Sequence, residues 1–437
     1  MEFSQHNIFS RIADSENYFI VNLLSGNADI LAPEKAQEII DKRYTDIEEY
    51  RVKGYLVEPE EEQMLFRKRY AEFLEDRERD EIQIFFTPWY ACNFSCSYCY
   101  QEGYSNDHVI PEKGVIDSFF SYIQKEFSGR KKYLTLFGGE PLLNGAPYKE
   151  VITHFLKKAR EAGLETSFVT NGFHLMEYLP LLTEYRIREI QVTLDGVGDL
   201  HDKRRPLKGG GSTFDQIAAG IDWALEHKLP INLRAVVDRG NIHELPSLAR
   251  YTIEKGWTKH PTFKTQLGRN YELHYCQADH SKILSRVELY QELYALIKAY
   301  PELLEFHKPA FSISKFLFEN GELPKPLYDS CPGTKTEWAF DYTGRIYSCT
   351  ATVGKVSNAL GTFYPAVSKN QELIGCWEER DVTSILLCKT CNLRLACGGG
   401  CASVAFNKTG NLHEADCRPV RELLELGIST YFKDEQD

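Results

Sequence analysis

The chain of 437 residues is 43% hydrophobic and 26% charged, enough apolar material for two or three buried cores without a disulfide framework. Its formal charge of -12 excludes a large nucleic-acid or anionic-membrane surface, which would draw on clustered Lys and Arg. No apolar run approaches the ~20 residues of a membrane helix, and the opening MEFSQHNIFSRIADSENYF has early acidic residues and no apolar core, so the protein is expected in the cytoplasm.

Residues 1–80 read as a module of their own. YFIVNLLSGNADIL predicts a hairpin around Ser25, Gly26 and Asn27, PEKAQEIIDKRY and TDIEEYRVKG two short helices, and YLVE a strand. That set fits a small winged-helix-like module suited to peptide recognition, or a cap on the barrel that follows. The charged EDRERDE after it reads as a solvated helix end and linker. Over residues 81–310, β-branched or aromatic runs alternate with amphipathic ones, the pattern of repeated βα units. Strands are expected at 81–87, 133–137, 166–170, 189–194, 232–237 and 262–267, with helices from Glu112, Tyr148 and Thr213. Six units suggest an α/β fold with a partial (β/α)6 TIM-like barrel, and a doubly wound sheet would give a similar string. Residues 311–437 form a third, cysteine-rich segment.

Polar signals follow the strands. CNFSCSYC comes after the first, GGEP (Gly138 to Pro141) after the second, Asn171-Gly172 after the third, Asp195-Gly196 after the fourth and DRGN after the fifth. In a barrel these loops converge on the face where ligands bind. Taken singly, GGEP, NG and DG each also fit a plain turn. Arg234, inside a strand, either pairs with a buried acid or reaches an anionic ligand, and the second is favoured.

In a reducing compartment the twelve cysteines are more often ligands or catalytic groups than disulfides. Cys92, Cys96 and Cys99 are three thiols without a nearby fourth, unless His108 completes a zinc site. A four-iron cubane held by three cysteines would leave one iron open. Zinc is the plainer reading of the C-terminal array Cys331, Cys349, Cys388, Cys391, Cys397, Cys401 and Cys417.

The C-x3-C-x2-C spacing, with Tyr98 before the last cysteine, and the GGEP turn together resemble radical S-adenosylmethionine enzymes over roughly residues 81–270. That resemblance implies a [4Fe-4S] cluster on Cys92, Cys96 and Cys99 whose open iron chelates S-adenosylmethionine and cleaves it reductively to a 5'-deoxyadenosyl radical. It further implies that Gly138, Gly139 and Glu140 hold the methionine ammonium, that Asn171, Thr193, Asp195 and Arg234 line the cofactor's ribose and carboxylate, and that Tyr98 packs near adenine. The C-terminal array resembles the SPASM extension, which implies two auxiliary [4Fe-4S] clusters, three clusters in all. Cys388, Cys391, Cys397 and Cys417 would hold one, and Cys331, Cys349 and Cys401 the other, with Asp329 where some relatives have an eighth cysteine. Cys276 and Cys376 read as buried thiols.

Relatives of this kind are maturases of ribosomally made (RiPP) peptides, which form thioethers or other crosslinks, and sulfatase-maturing enzymes. The latter carry an acid directly after the second cysteine of the extension, where this chain has Thr350. The expectation is therefore a peptide maturase with a leader-bearing precursor peptide and a reductant such as flavodoxin or ferredoxin as partners, and no nucleic acid or membrane. A formylglycine-forming enzyme and a non-catalytic iron-sulfur or zinc protein are the alternatives. Removing residues 1–75 is expected to abolish peptide binding and spare S-adenosylmethionine cleavage.

Overall fold

The computed structural model describes residues 1–101, 103–104, 109–270 and 281–432. The N-terminal segment contains five strands, β1 (Glu2–Phe3), β2 (Asn7–Arg11), β3 (Tyr18–Asn22), β4 (Asn27–Leu31) and β5 (Leu56–Val57). The expected hairpin is β3–β4, and β2 adds to it as a third antiparallel strand that its mixed sequence NIFSR did not announce. Short helices at Pro33–Ile40 and Ile47–Val52 follow, then a helix at Pro59–Arg79 that includes most of the charged stretch read as a helix end.

The two faces of this sheet have different partners, as the two-residue period of a strand requires. Ile20 packs with Ile39, Tyr50 and Tyr55 inside the module. Ile8, Phe19 and Val21 instead share a core with Tyr328, Val382, Ile385, Leu395, Val420 and Leu424, and with Cys388 and Cys397. The module is thus seated on the cysteine-rich segment, and it also meets residues 81–310, where Tyr294 and Lys298 donate to Asp14 and Arg130 donates to the Arg77 carbonyl.

Six parallel strands follow in sequence order: β6 (Ile82–Thr87), β7 (Lys132–Leu136), β8 (Thr166–Thr170), β9 (Ile187–Thr193), β10 (Ile231–Val237) and β11 (Phe263–Arg269). Parallel pairing of consecutive strands, each crossed over by a helix, is the partial barrel rather than a doubly wound sheet. Outward positions such as Ile84, Phe86, Leu134, Leu136, Phe168, Ile190 and Leu233 are fully buried under the helices. Phe86, for example, meets Phe119 of helix Lys113–Glu126 and Phe155 of helix Ala146–Glu161 at ring separations of 4.7 and 5.4 Å. Inward positions are largely polar: Gln83, Thr135, Ser167, Gln191, Asn232, Arg234 and Gln266.

The sheet does not stop at β6. Strand β12 (Glu337–Asp341) lies parallel to β6, in register from Glu337 opposite Gln83 to Asp341 opposite Thr87. The antiparallel strands β13 (Arg345–Tyr347), β14 (Gly361–Thr362) and β15 (Ser368–Lys369) then complete a ten-stranded sheet. The first strand of the barrel is therefore interior, paired on both sides, and the cysteine-rich segment grows out of the same sheet. Among the described residues no helix is long and apolar enough to cross a membrane.

Candidate active site

The loop carrying Cys92, Cys96 and Cys99 leaves the C-terminal end of β6 and is tied down by its neighbours. Gly139 and Glu140 donate their amides to the carbonyls of Trp89 (3.3 Å) and Ala91 (2.9 Å). Ser95 donates to Pro206 and Lys208 to Asn93 at 2.9 and 2.8 Å, so the loop is clamped from both flanks. A Cβ at Gly139 would stand 2.2 Å from the Ala91 carbonyl oxygen, and Gly138 has φ +132° with a Cβ position 2.4 Å from Thr87. The paired glycines are what lets the turn after β7 lie flat on the backbone leading to Cys92.

Glu140 is buried, and its carboxylate accepts from Leu142 N–H (2.8 Å), Thr170 Oγ1 (2.6 Å) and Asn171 N–H (2.6 Å). It thereby joins the end of β7 to the end of β8. Asn171 reaches on through Nδ2 to Asn93 Oδ1 at 2.7 Å, beside Cys92. Burial pushes the Cys92 thiol up to about 12, with the Glu140 charge adding, and burial pushes Cys96 up to about 11 against the opposing Arg205. Free thiols in that setting stay protonated at neutral pH, and a bound cationic centre would favour their thiolates.

Register aligns the other predicted residues. Thr193 of β9 is paired with Arg234 of β10, and Arg234 with Gln266 of β11. Among the described residues the buried Nε of Arg234 has no hydrogen-bond partner, and Gly268 lies close beneath its guanidinium. Asp195 stands differently. Its carboxylate accepts from Tyr98 Oη (2.5 Å) and Val236 N–H (2.8 Å), and Arg204 approaches at 3.4 Å. Arg205 donates to Tyr98 Oη at 2.6 Å, and Arg204 forks onto Asp238 at 2.8 and 3.0 Å. These arginines were missed in sequence; the adjacent pair in HDKRRP, just after a candidate ligand loop, was the available signal.

Inside the barrel lies a cavity of about 570 Å³ lined by the inward polar residues, Arg234 and, from the cysteine-rich segment, Thr350. The amide of Thr350 donates to Glu337 Oε1 at 2.9 Å. Glu337 shares the register of Gln83, so its side chain leaves β12 on the cavity side, and burial raises its carboxyl.

The C-terminal thiols differ in burial: Cys331, Cys349, Cys388 and Cys397 are buried, Cys391 and Cys401 half-buried, and Cys417 exposed. Burial raises Cys349 to about 12, followed by the charges of Glu337, Cys331 and Cys401, whereas burial raises Cys388 to about 11, followed by Cys397, Cys391 and Cys417. Among the described residues no three His, Cys, Asp or Glu side chains converge as tightly as one metal ion demands. Asp329 forms a buried ion pair with Lys335 and accepts the Cys331 amide at 2.9 Å. Cys376 is half-buried; Cys276 and His108 lie outside the described residues.

Residues 86–251 match the Radical SAM superfamily. A GTP 3',8-cyclase of Trichormus variabilis is 32% identical over 174 residues, which is 38% of this chain and 51% of the relative. The chain thus spans about half the length of the curated relatives it matches. Among solved structures, anSMEcpe with bound AdoMet superposes with a TM-score of 0.63 at 19% identity, over 81% of this chain and 94% of that one. Streptococcus suis SuiB bound to S-adenosylmethionine superposes with a TM-score of 0.57 at 15% identity, over 96% of this chain and 99% of its own, and SuiB has also been solved with precursor peptide SuiA.

Proposed function

We propose that this chain, which carries a radical SAM domain over residues 86–251, is a peptide maturase that forms an intramolecular thioether or other crosslink in a ribosomally made precursor. The reading rests on one observation: a single cavity is bordered both by Arg234 and by Thr350, the residue that follows Cys349 of the three-thiol group. A substrate in that cavity would lie between Arg234, read as an S-adenosylmethionine contact, and Thr350, next in sequence to Cys349. The coverage of SuiB over nearly the whole chain, N-terminal module included, favours a peptide substrate. The N-terminal sheet would take the leader segment as an added strand. Flavodoxin or ferredoxin would serve as reductant.

Cys92, Cys96 and Cys99 would hold a [4Fe-4S] cluster, and Cys388, Cys391, Cys397 and Cys417, with Cys331, Cys349 and Cys401, two auxiliary ones. When bound, the first cluster supplies the electron that splits the sulfonium bond of S-adenosylmethionine. The chain's own part is orientation. Arg234, which lines the cavity and whose Nε has no hydrogen-bond partner among the described residues, receives the carboxylate of S-adenosylmethionine, and the backbone at Gly138 and Gly139 receives its ammonium, with Glu140 bracing that turn. Tyr98, fixed between Asp195 and Arg205, borders the adenine side, with Thr193 and Asn171 along the ribose. The polar cavity wall would seat the reacting residues.

The formylglycine-forming alternative keeps one observation in its favour. Glu337 is a cavity-side carboxyl bonded to Thr350, the position where those enzymes carry their acid. Anaerobic incubation of the reconstituted protein with S-adenosylmethionine, reductant and cysteine-containing candidate precursors decides among these readings. A crosslink lowers the peptide mass by two hydrogens and leaves 5'-deoxyadenosine. Deoxyadenosine with a formylglycine product selects the alternative, and no deoxyadenosine at all returns the chain to a non-catalytic role.

A further inference from the structure

Arg380 is fully buried, yet among the described residues it forms no ion pair. Its guanidinium donates to four backbone carbonyls: Leu412 (2.6 Å), Gly400 (3.1 Å), Gly399 (2.9 Å) and Glu414 (2.9 Å). Gly399 and Gly400 belong to Gly398–Gly400, three consecutive left-handed residues at φ +62, +74 and +71°. That turn joins Cys397 of the four-thiol group to Cys401 of the three-thiol group. The bonds to Leu412 and Glu414 fix the approach to Cys417. On the other side, the Arg380 carbonyl accepts from Lys335 Nζ at 3.0 Å, and Lys335 also reaches the Cys331 carbonyl at 3.5 Å.

Carbonyl dipoles orient a guanidinium but do not neutralise it, and an uncompensated buried cation is costly. Asp329, the nearby acid, is taken up by Lys335. Asp329 also feels the Arg380 charge, and the thiols at the two ends of the glycine turn are further groups that can balance it.

We propose that Arg380 is a positioning residue for the C-terminal cofactor sites: it locks the glycine bridge between the two thiol groups, and its charge offsets the anionic group held by Cys388, Cys391, Cys397 and Cys417. This rests on the reading of those thiols as iron–sulfur ligands. A positive charge beside an anionic cluster favours its reduced form, so removing the charge lowers the midpoint potential.

The test uses reconstituted full-length protein, with iron per chain and an anaerobic redox titration followed by EPR as readouts. R380Q is expected to lower the midpoint of one C-terminal signal, whereas R380K, which keeps the charge and loses the fork, leaves it at the wild-type value. Loss of iron in R380Q, with iron retained in R380K at wild-type midpoints, supports the same role for the charge. Unmoved midpoints in R380Q at full iron content overturn the proposal, as does equal loss of iron or an equal shift in both variants. Wild-type protein that binds iron for only one cluster, where about twelve atoms are expected for three, would instead remove the auxiliary-cluster reading on which the proposal stands.

Discussion

A single guanidinium separates what the strand pattern could tell from what it could not. Arg234 interrupts an apolar strand, and that oddity was visible in INLRAVV; its partners were not. The neighbouring arginines, Arg204 and Arg205, are bonded to Asp238 and Tyr98, while Arg234 is left facing the cavity. R234Q should therefore weaken S-adenosylmethionine binding by more than about tenfold, a charged hydrogen bond being worth roughly 1.5–3 kcal/mol, with iron content unchanged; equilibrium binding on anaerobic protein measures it. Glu140 carries the opposite lesson. The motif GGEP was legible, but which of its atoms face a ligand was not, because the carboxylate's three acceptor bonds involve residues on two different loops. Histidines give a second expectation at this scale. Burial, then the charge of Arg394, lowers His6 from the usual 6.5 to about 3, and burial, then Arg205, lowers His201 to about 4. Below pH 6.5 the unfolded chain binds protons that the folded chain refuses, so stability present above that pH is lost as pH falls. The loss is about 1.4 kcal/mol per unit for each group. Melting followed from about pH 7 down to about pH 5.5 should show it, and H6Q should flatten the profile.

At the level of elements, the barrel was readable because its outward residues are apolar and its turn signals fall at strand ends. Both follow from the two-residue period of a strand covered on one side by helices. Strand β12 was not readable. EWAFD is too short to carry a period, and its parallel partner lies far back in sequence. The turn after β7 offers a sharper test than any strand. G139A would set a methyl group 2.2 Å from the Ala91 carbonyl, and backbone on that side cannot give way without moving the Cys92 loop. The variant is expected to fold, with the circular dichroism of the wild type, and to lose most of its deoxyadenosine production. Retained production would show that the loop tolerates displacement.

The whole molecule is less divisible than its sequence suggested. Composition shifts placed a module at residues 1–80, but periodicity does not reveal which element a face is buried against. Ile8, Ile12, Phe19, Val21, Leu23 and Leu24 are buried with the cysteine-rich segment, and at about 1.5–3 kcal/mol per side chain that contact exceeds what a detachable appendage would have. Deleting residues 1–80 should consequently leave a chain that is insoluble or deficient in iron. A soluble truncated protein with full iron and undiminished S-adenosylmethionine cleavage would instead restore the expectation of an independent leader-binding module. The ten-stranded sheet has a further consequence, for synthesis. Strand β6, which launches the Cys92 loop, stays an exposed edge on one side until β12 has left the ribosome, well after every other barrel strand. At ordinary translation rates of about 5–20 residues per second the nascent thiols wait many seconds for their last neighbour. The Cys92 loop therefore reaches its final setting only after the cysteine-rich segment has emerged to close the sheet.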